Sequence, residues 1–346
     1  MRKMMLLLTA ALLIFAFAAS CTGAGSGERL YVYNWGDYID ADIVADFEKE
    51  TGIKVIYETY DTNESMYAKL KPGNSSYDVV FPSDYMIEKM IREDMLEKID
   101  MKNIANFKNI DDKFKGLDFD KNDEYYVAYM WGTVGILYNS EMVGEPVDSW
   151  EILWNEKYAG QIYMYDSQRD TFAAALKKLG FSVNTRDLGE LTLAKEELIR
   201  QKPLVQAYIG DQVKDKMIGR EGALAIVYSG DAMFCKDEND ELEYAIPKEG
   251  SNLWYDGAVI PKGAKNKSNA EKFIDFLCRP DVAAQNTEYI GYSTANRAAL
   301  ELLDDEMRND PTYWPGEEEL ANCEVFYDLG DFIIEYDKAW TEILAS

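Results

Sequence analysis

There is no histidine among the 346 residues, and that absence alone removes a block of chemistry. No Ser-His-Asp or Cys-His pair can be assembled, no HExxH zinc site exists, and no imidazole is present to move protons near neutrality. An enzyme built from this chain would have to run on carboxylates, lysine, tyrosine or cysteine. Positive charge is also scarce: 36 Lys+Arg against 63 Asp+Glu leave a formal net charge of −27. Such a field repels phosphate backbones, so no nucleic-acid partner is expected. Cysteine is rare, and apart from Cys21 the chain has Cys235, Cys278 and Cys323. Their number is odd and their spacings match no zinc or redox motif; they read as small buried hydrophobes, and nothing selects a disulfide pair. Nucleotide motifs are missing too. Gly23, Gly25 and Gly27 follow no strand and lack the GxGxxG spacing, and there is no Walker sequence. The acidic clusters 304–306 and 317–319 lack the ligand alternation and glycine of a calcium loop and read as solvated faces. No cofactor and no metal are expected.

What is present begins with a processing segment. Arg2 and Lys3 precede an apolar run over 4–19 that is short of the ~20 residues of a membrane span. Ala18-Ala19-Ser20-Cys21 then resembles a bacterial lipobox, with Ala18 where leucine is usual. Residues 1–20 therefore read as a signal peptide, Cys21 as a lipidated first residue, and 21–28 as a small-residue tether. The folded part is expected to be exported and held at a membrane surface by acyl chains.

From residue 30 onward, strand-like and helix-like runs alternate. Residues 30–33 and 53–60 read as strands around a helix that Asp40 caps and Gly52 stops; a short helix over 66–70 and a buried strand over 79–81 follow. The alternation restarts after Trp131, with strands over 133–138, 204–209 and 223–228 and helices over 171–179 and 187–200. A strand over 257–260, helices over 269–277 and 280–289, and a final helix over 329–344 complete the pattern. Two α/β units are thus expected, and no Pro/Gly-rich linker separates them, which favours two lobes crossed by the chain more than once.

Aromatic residues make up 13% of the chain, including 24 Tyr and 7 Trp. Many fall with acids just after strands, where an open α/β sheet builds its ligand crevice. These clusters are Trp35-Gly36-Asp37-Tyr38, Ser83-Asp84-Tyr85, 166–170 ending in Asp170, Tyr228-Ser229-Gly230-Asp231 and Trp254-Tyr255-Asp256-Gly257. Taken singly, each is better explained as core aromatics and loop caps. Together they suit a flexible amine chain: carboxylates form charge-assisted hydrogen bonds to ammonium groups, and flat rings shelter the methylenes and add cation–π attraction.

At these residues the sequence resembles a known family. Tyr33-Asn34-Trp35-Gly36-Asp37-Tyr38, Phe47-Glu48-Lys49-Glu50-Thr51-Gly52-Ile53-Lys54-Val55, Tyr77-Asp78-Val79-Val80-Phe81-Pro82-Ser83, Ala264-Lys265-Asn266-Lys267 and Phe276-Leu277-Cys278-Arg279-Pro280-Asp281-Val282 are similar to motifs of the bacterial spermidine/putrescine-binding proteins of polyamine ABC transporters. The resemblance runs from about residue 30 to the C-terminus. It implies a two-lobed periplasmic binding protein-like fold, each lobe an open mixed β-sheet flanked by helices, with the ligand cleft between lobes. Lobe 1 would comprise 29–132 plus 257–300, and lobe 2 would comprise 133–256 plus 301–346. The family's aromatic box falls on Trp35, Tyr38, Tyr85, Tyr228, Trp254 and Tyr292. Polar contacts fall on Asp37, Ser83, Asp170, Asp231 and Asp256, with Asp256 gripping an amine.

Three departures concern the choice of amine. Ser167 stands where spermidine-preferring relatives have a second acid, Phe326 replaces their late Gln, and Asp231 matches an acid of the putrescine-preferring type. The resemblance further implies no catalysis, a monomer, and delivery of the amine to an ABC transporter permease and through it the ATPase. A sensor that binds polyamine and signals to a membrane partner fits the same residues. An enzyme using Cys235 as nucleophile, without a histidine to assist it, fits them less well.

Overall fold

Local signals in the chain set the first layer. The computed structural model describes residues 27–73 and 76–346; the expected leader and Cys21, with most of the tether, lie outside them. Strand β1 (Arg29–Trp35) runs parallel to and between β2 (Lys54–Tyr60) and β3 (Val79–Val80). Helix α1 (Ala41–Thr51) connects β1 to β2. The Asp40 carboxylate accepts from the Asp42 amide at 2.9 Å, and Gly52, at φ 73°, ends the helix by donating to the Glu48 carbonyl. Helix α2 (Asn63–Leu70), capped by Thr62, and α3 (Asp84–Arg92), which starts directly after Ser83, complete the unit, and the short strand β4 (Leu96–Glu97) pairs with Ile260–Pro261. Leu30, Val32, Val79 and Val80 are wholly buried, as expected of a parallel sheet covered on both faces.

A seven-stranded mixed sheet forms the second layer. Its centre is β5 (Val127–Asn139), a strand of 13 residues with almost every side chain buried. The sequence shows a strand only over 133–138, because burial on both sides erases the alternation that would have marked 127–132. The others are β6 (Ile162–Tyr165), β7 (Val205–Ile209), β8 (Leu224–Tyr228), β9 (Leu242–Ala245), β10 (Leu253–Ala258) and a short pair at Ser293–Thr294. The order is β10-β5-β8-β6-β7, with β9 and Ser293–Thr294 also on β5. The flanking helices include α4 (Gln168–Lys178), α5 (Leu188–Gln201), α6 (Val213–Ile218) and α7 (Ser229–Glu238). The sequence pattern assigns no element to α3, α6 and α7: each begins straight after a strand or turn, without a break in composition.

The two layers are joined through β5 and β10, and the molecule is two-lobed. β10 pairs antiparallel with β5, then reaches the first sheet: the Gly257 amide donates to the Pro82 carbonyl at 3.1 Å, and Val80 and Val259 exchange hydrogen bonds at 3.0 and 2.8 Å. The changes of lobe expected at 132/133 and 256/257 thus fall inside two paired strands. After residue 300 the chain first stays with helix Pro280–Ile290, where Leu303, Met307 and Trp314 pack with Ala283, Ala284 and Ala299. It then reaches the second sheet, where Glu324 and Asn252 form a bridge, and ends in helix Ile333–Ala345.

Candidate ligand-binding site

Five residues of β5, 130–134, set the register of the site. On one side Met130 pairs with Asp256 and Gly132 with Trp254; on the other Trp131 pairs with Ser293, next to Tyr292; beyond them Val134 pairs with Tyr228. A bulge between Asp256 and Gly257 turns the Asp256 side chain out of the regular ladder, beside Ser83, with which it forms an isolated bridge. Close packing of rings requires two residues without a Cβ. A Cβ at 132 would lie 2.6 Å from both the Trp254 ring and Ser229 Oγ, and one at 230 would overlap the Tyr292 ring.

Asp256 is 5% exposed. Its Oδ2 accepts from the Tyr38 hydroxyl at 2.9 Å, whereas Oδ1 is buried and has no hydrogen-bond partner among the described residues. Burial pushes its carboxyl up to about 7, against the opposing pull of Ser83 and Tyr38. Tyr38 is itself fixed, since Tyr129 Oη donates to its carbonyl at 2.6 Å and Asn286 Nδ2 donates to Tyr129 Oη. An ionised carboxylate with one oxygen unsatisfied and no cation beside it is costly to bury, so this position is prepared for a positively charged donor.

A series of edge-on rings leads away from Asp256. Tyr38 meets Tyr292 at 5.8 Å between centroids, Tyr292 meets Trp254 at 5.3 Å, and Trp254 meets Tyr228 at 6.1 Å. At the far end the Tyr228 hydroxyl donates to Asp170 Oδ2 at 2.8 Å. Asp170, also buried, takes further hydrogen bonds from Ser167 Oγ at 2.6 Å and Asn252 Nδ2 at 3.1 Å. Burial raises its carboxyl and these three donors oppose the rise. Ser167, the departure at an expected acid, is therefore the N-cap of α4, and Asp170 lies in that helix's first turn. Asp231, in the first turn of α7, accepts from Tyr165 Oη at 2.8 Å and has Lys214 Nζ 3.4 Å away. Burial first, then the charges of Asp231 and Asp211, hold the Tyr292 phenol well above its ordinary value, so it stays neutral.

The remaining candidates sit around this core. Trp35 is half-buried; its Nε1 donates to the Phe81 carbonyl at 2.8 Å and its ring lies against Tyr60. Asn63 Nδ2 donates to both Ser83 Oγ and Tyr85 Oη at 3.1 Å, and Tyr85 packs beside Ala173, Val183 and Phe326. Phe326, in place of the expected Gln, thus fills an apolar cluster, with the Arg169 guanidinium over its ring at 4.2 Å. Asp37 stands exposed in the turn after β1 at φ 41°, apart from the buried hydrogen bonds.

With this geometry in place, comparison with known proteins is decisive. A family model described as bacterial extracellular solute-binding protein matches residues 42–315. The chain belongs to that family. A spermidine/putrescine-binding periplasmic protein of Salmonella typhimurium is 40% identical over 332 residues, covering 95% of each chain. The solved spermidine/putrescine ABC transporter substrate-binding protein of Streptococcus pneumoniae superposes with a TM-score of 0.83 at 39% identity, covering 92% of this chain and 99% of that one. A lipoprotein of Treponema pallidum superposes at 0.85 with 29% identity, covering 91% and 99%.

For a solute-binding protein, the positioning groups matter as much as the lining. Sequence reading missed Tyr129, Asn252, Tyr165, Lys214, Asn63 and the role of Asp84. Asp84 is buried and accepts from the Tyr85 and Tyr255 amides at 2.6 and 2.9 Å, fastening α3 to β10 next to Asp256. Tyr165 has the one readable signal, standing with Tyr163 at alternate positions of a strand that Asp166 follows. The others are single polar residues whose partners are far away in sequence.

Proposed function

We propose that the protein captures spermidine and putrescine in the cleft between its lobes and delivers them to an ABC-type polyamine importer, through a permease and its ATPase. One observation carries the reading: the unpartnered Oδ1 of buried Asp256, at the head of a path of rings that ends at Asp170. An ammonium at Asp256 supplies the missing donor and cancels the buried charge, and each ring facing a cation adds about 0.5–2 kcal/mol. The ligand set is Trp35, Asp37, Tyr38, Ser83, Tyr85, Asp170, Tyr228, Asp231, Trp254, Asp256 and Tyr292. The names of the relatives support the choice of ligand and the transport context. The lobes divide at 29–132 plus 257–300 and 133–256 plus 301–346, except that the stretch from Leu303 to Trp314 stays packed on helix Pro280–Ile290 of the first lobe before the chain crosses. The protein acts as an exported monomer anchored by lipid at Cys21; no helix among the described residues is long and apolar enough to cross a membrane. Closure over the amine shifts a hinged equilibrium about β5 and β10 towards the form that docks on the permease.

Titration calorimetry with spermidine and putrescine tests this. The wild type binds with micromolar or tighter affinity, and Asp256→Asn weakens binding at least about a hundredfold, the scale on which a desolvated charge partner is lost. Absence of binding by both amines, or an unaffected Asp256→Asn variant, refutes it.

A further inference from the structure

The three buried acids of the cleft are not equivalent. Asp256 has a free oxygen and no cation. Asp170 is held by neutral donors, namely Ser167, Tyr228 and Asn252. Asp231 is directly ion-paired by the protein itself: Lys214 Nζ lies 3.4 Å from its Oδ1, with Tyr165 on Oδ2, whereas the Arg169 guanidinium reaches Asp170 only as a nearby charge. Lys214 comes from α6, which packs on α7, and its side chain is 30% exposed while that of Asp231 is 10% exposed. The lysine backbone is tied to α7 as well, since its carbonyl accepts from the Cys235 thiol at 3.9 Å. A ligand ammonium that approaches Asp231 therefore meets a site whose charge is already balanced, and meets a like charge beside it.

We propose that Lys214 is the selectivity residue of the cleft: by serving as resident counter-ion of Asp231 it makes that member of the ligand set a charge-balanced wall, leaves Asp256 and Asp170 as the acids open to ammonium groups, and so favours a diamine over a triamine although both bind. This rests on the polyamine reading above. A triamine brings a third ammonium for which Asp231 is the remaining partner, and Lys214 occupies that partner. Removing the lysine charge opens the third contact, and the gain falls on spermidine.

The test is a double-mutant cycle read by calorimetry at pH 8 with both amines on the full chain, with thermal melts confirming that each variant is folded. Lys214→Gln raises spermidine affinity about tenfold and putrescine affinity by less than about threefold, as expected for release of one partly solvated charge. Asp231→Asn alone leaves Lys214 uncompensated beside the ligand and weakens both amines. In the Lys214→Gln background the same change restores affinities to within about threefold of wild type, so the two effects do not add. Lys214→Arg keeps the wild-type preference. An unchanged spermidine-to-putrescine ratio in Lys214→Gln overturns the proposal, as does an Asp231→Asn loss of equal size in both backgrounds. Failure of the wild type to bind either amine would instead strike at the polyamine reading itself.

Discussion

Affinity for a polyamine should fall steeply below neutral pH, because of one carboxyl. Burial lifts Asp256 from 3.8 to about 7 in the free protein. Each pKa unit corresponds to about 1.36 kcal/mol, so ionising this group in the empty site costs about 4 kcal/mol more than in water. A bound ammonium reverses that cost by supplying both charge and donor to Oδ1, and the complex holds the carboxylate. The ligand's own amines titrate, like lysine, near 10 and stay protonated throughout. Binding thus requires loss of a proton from Asp256 whenever the pH lies below about 7. Affinity is flat above pH 8 and declines about tenfold per unit below 7, so that pH 5 stands about a hundredfold under the plateau.

Calorimetry at pH 5, 6, 7 and 8, in buffers of different ionisation enthalpy, measures both quantities. At pH 6 close to one proton is released per ligand bound, and at pH 8 almost none. The free protein supplies a matching sign. A carboxyl whose folded pKa is raised binds its proton more tightly in the native state, so its contribution favours the fold at low pH and is lost as pH rises from about 4 to 7. Saturating amine removes this loss, and the ligand-induced rise in Tm grows between pH 5 and 8. Asp256→Asn removes the part of the pH dependence centred near 7 and leaves weak binding, with what remains belonging to Asp170, whose carboxyl burial also raises. A wild-type affinity that is constant from pH 5 to 8, or binding at pH 6 without proton release, would refute the assignment of Asp256 as the buried, unpaired anion.

Two further outcomes follow from packing. Gly230→Ala places a methyl into the Tyr292 ring, and the overpacking costs about 1–3 kcal/mol of stability, read by denaturant melts; because Tyr292 links Tyr38 to Trp254, amine affinity falls with it, and a variant with wild-type Tm and affinity would show that the ring does not occupy this place. Cys235 and Cys278 are buried, and burial pushes the Cys235 thiol up to about 12 and raises Cys278 further, whereas Cys323 is only partly buried. At pH 8 a thiol reagent therefore labels Cys323 well before Cys235 and Cys278, which react only in denaturant; rapid native labelling of Cys235 or Cys278 would contradict their placement.

Much of this fold could be read from the chain because its signals are local. Asp40 and Gly52 bracket α1 as their types demand, and Ser167, one residue before α4, caps it although the surrounding acids drew attention first to ligand chemistry. The site was legible at the level of residue type and place, since aromatic and acidic residues gather at strand ends of both sheets, which β10 brings together. What the chain could not express is which partner each acid meets. Asp170, Asp231 and Asp256 look alike in sequence, each a lone aspartate near tyrosine or tryptophan. Their difference lies in distant residues: Asn252 beside Asp170, Lys214 beside Asp231, and no cation or hydrogen-bond donor on Asp256 Oδ1 among the described residues. The division of labour among the acids is created by tertiary packing, in which β5 carries Asp256 on one neighbour and sets Tyr228 and Tyr292 on others, while α6 delivers a lysine from outside that sheet. Net charge cannot select one amine over another; the position of one lysine, ion-paired to one of three otherwise similar carboxylates, can.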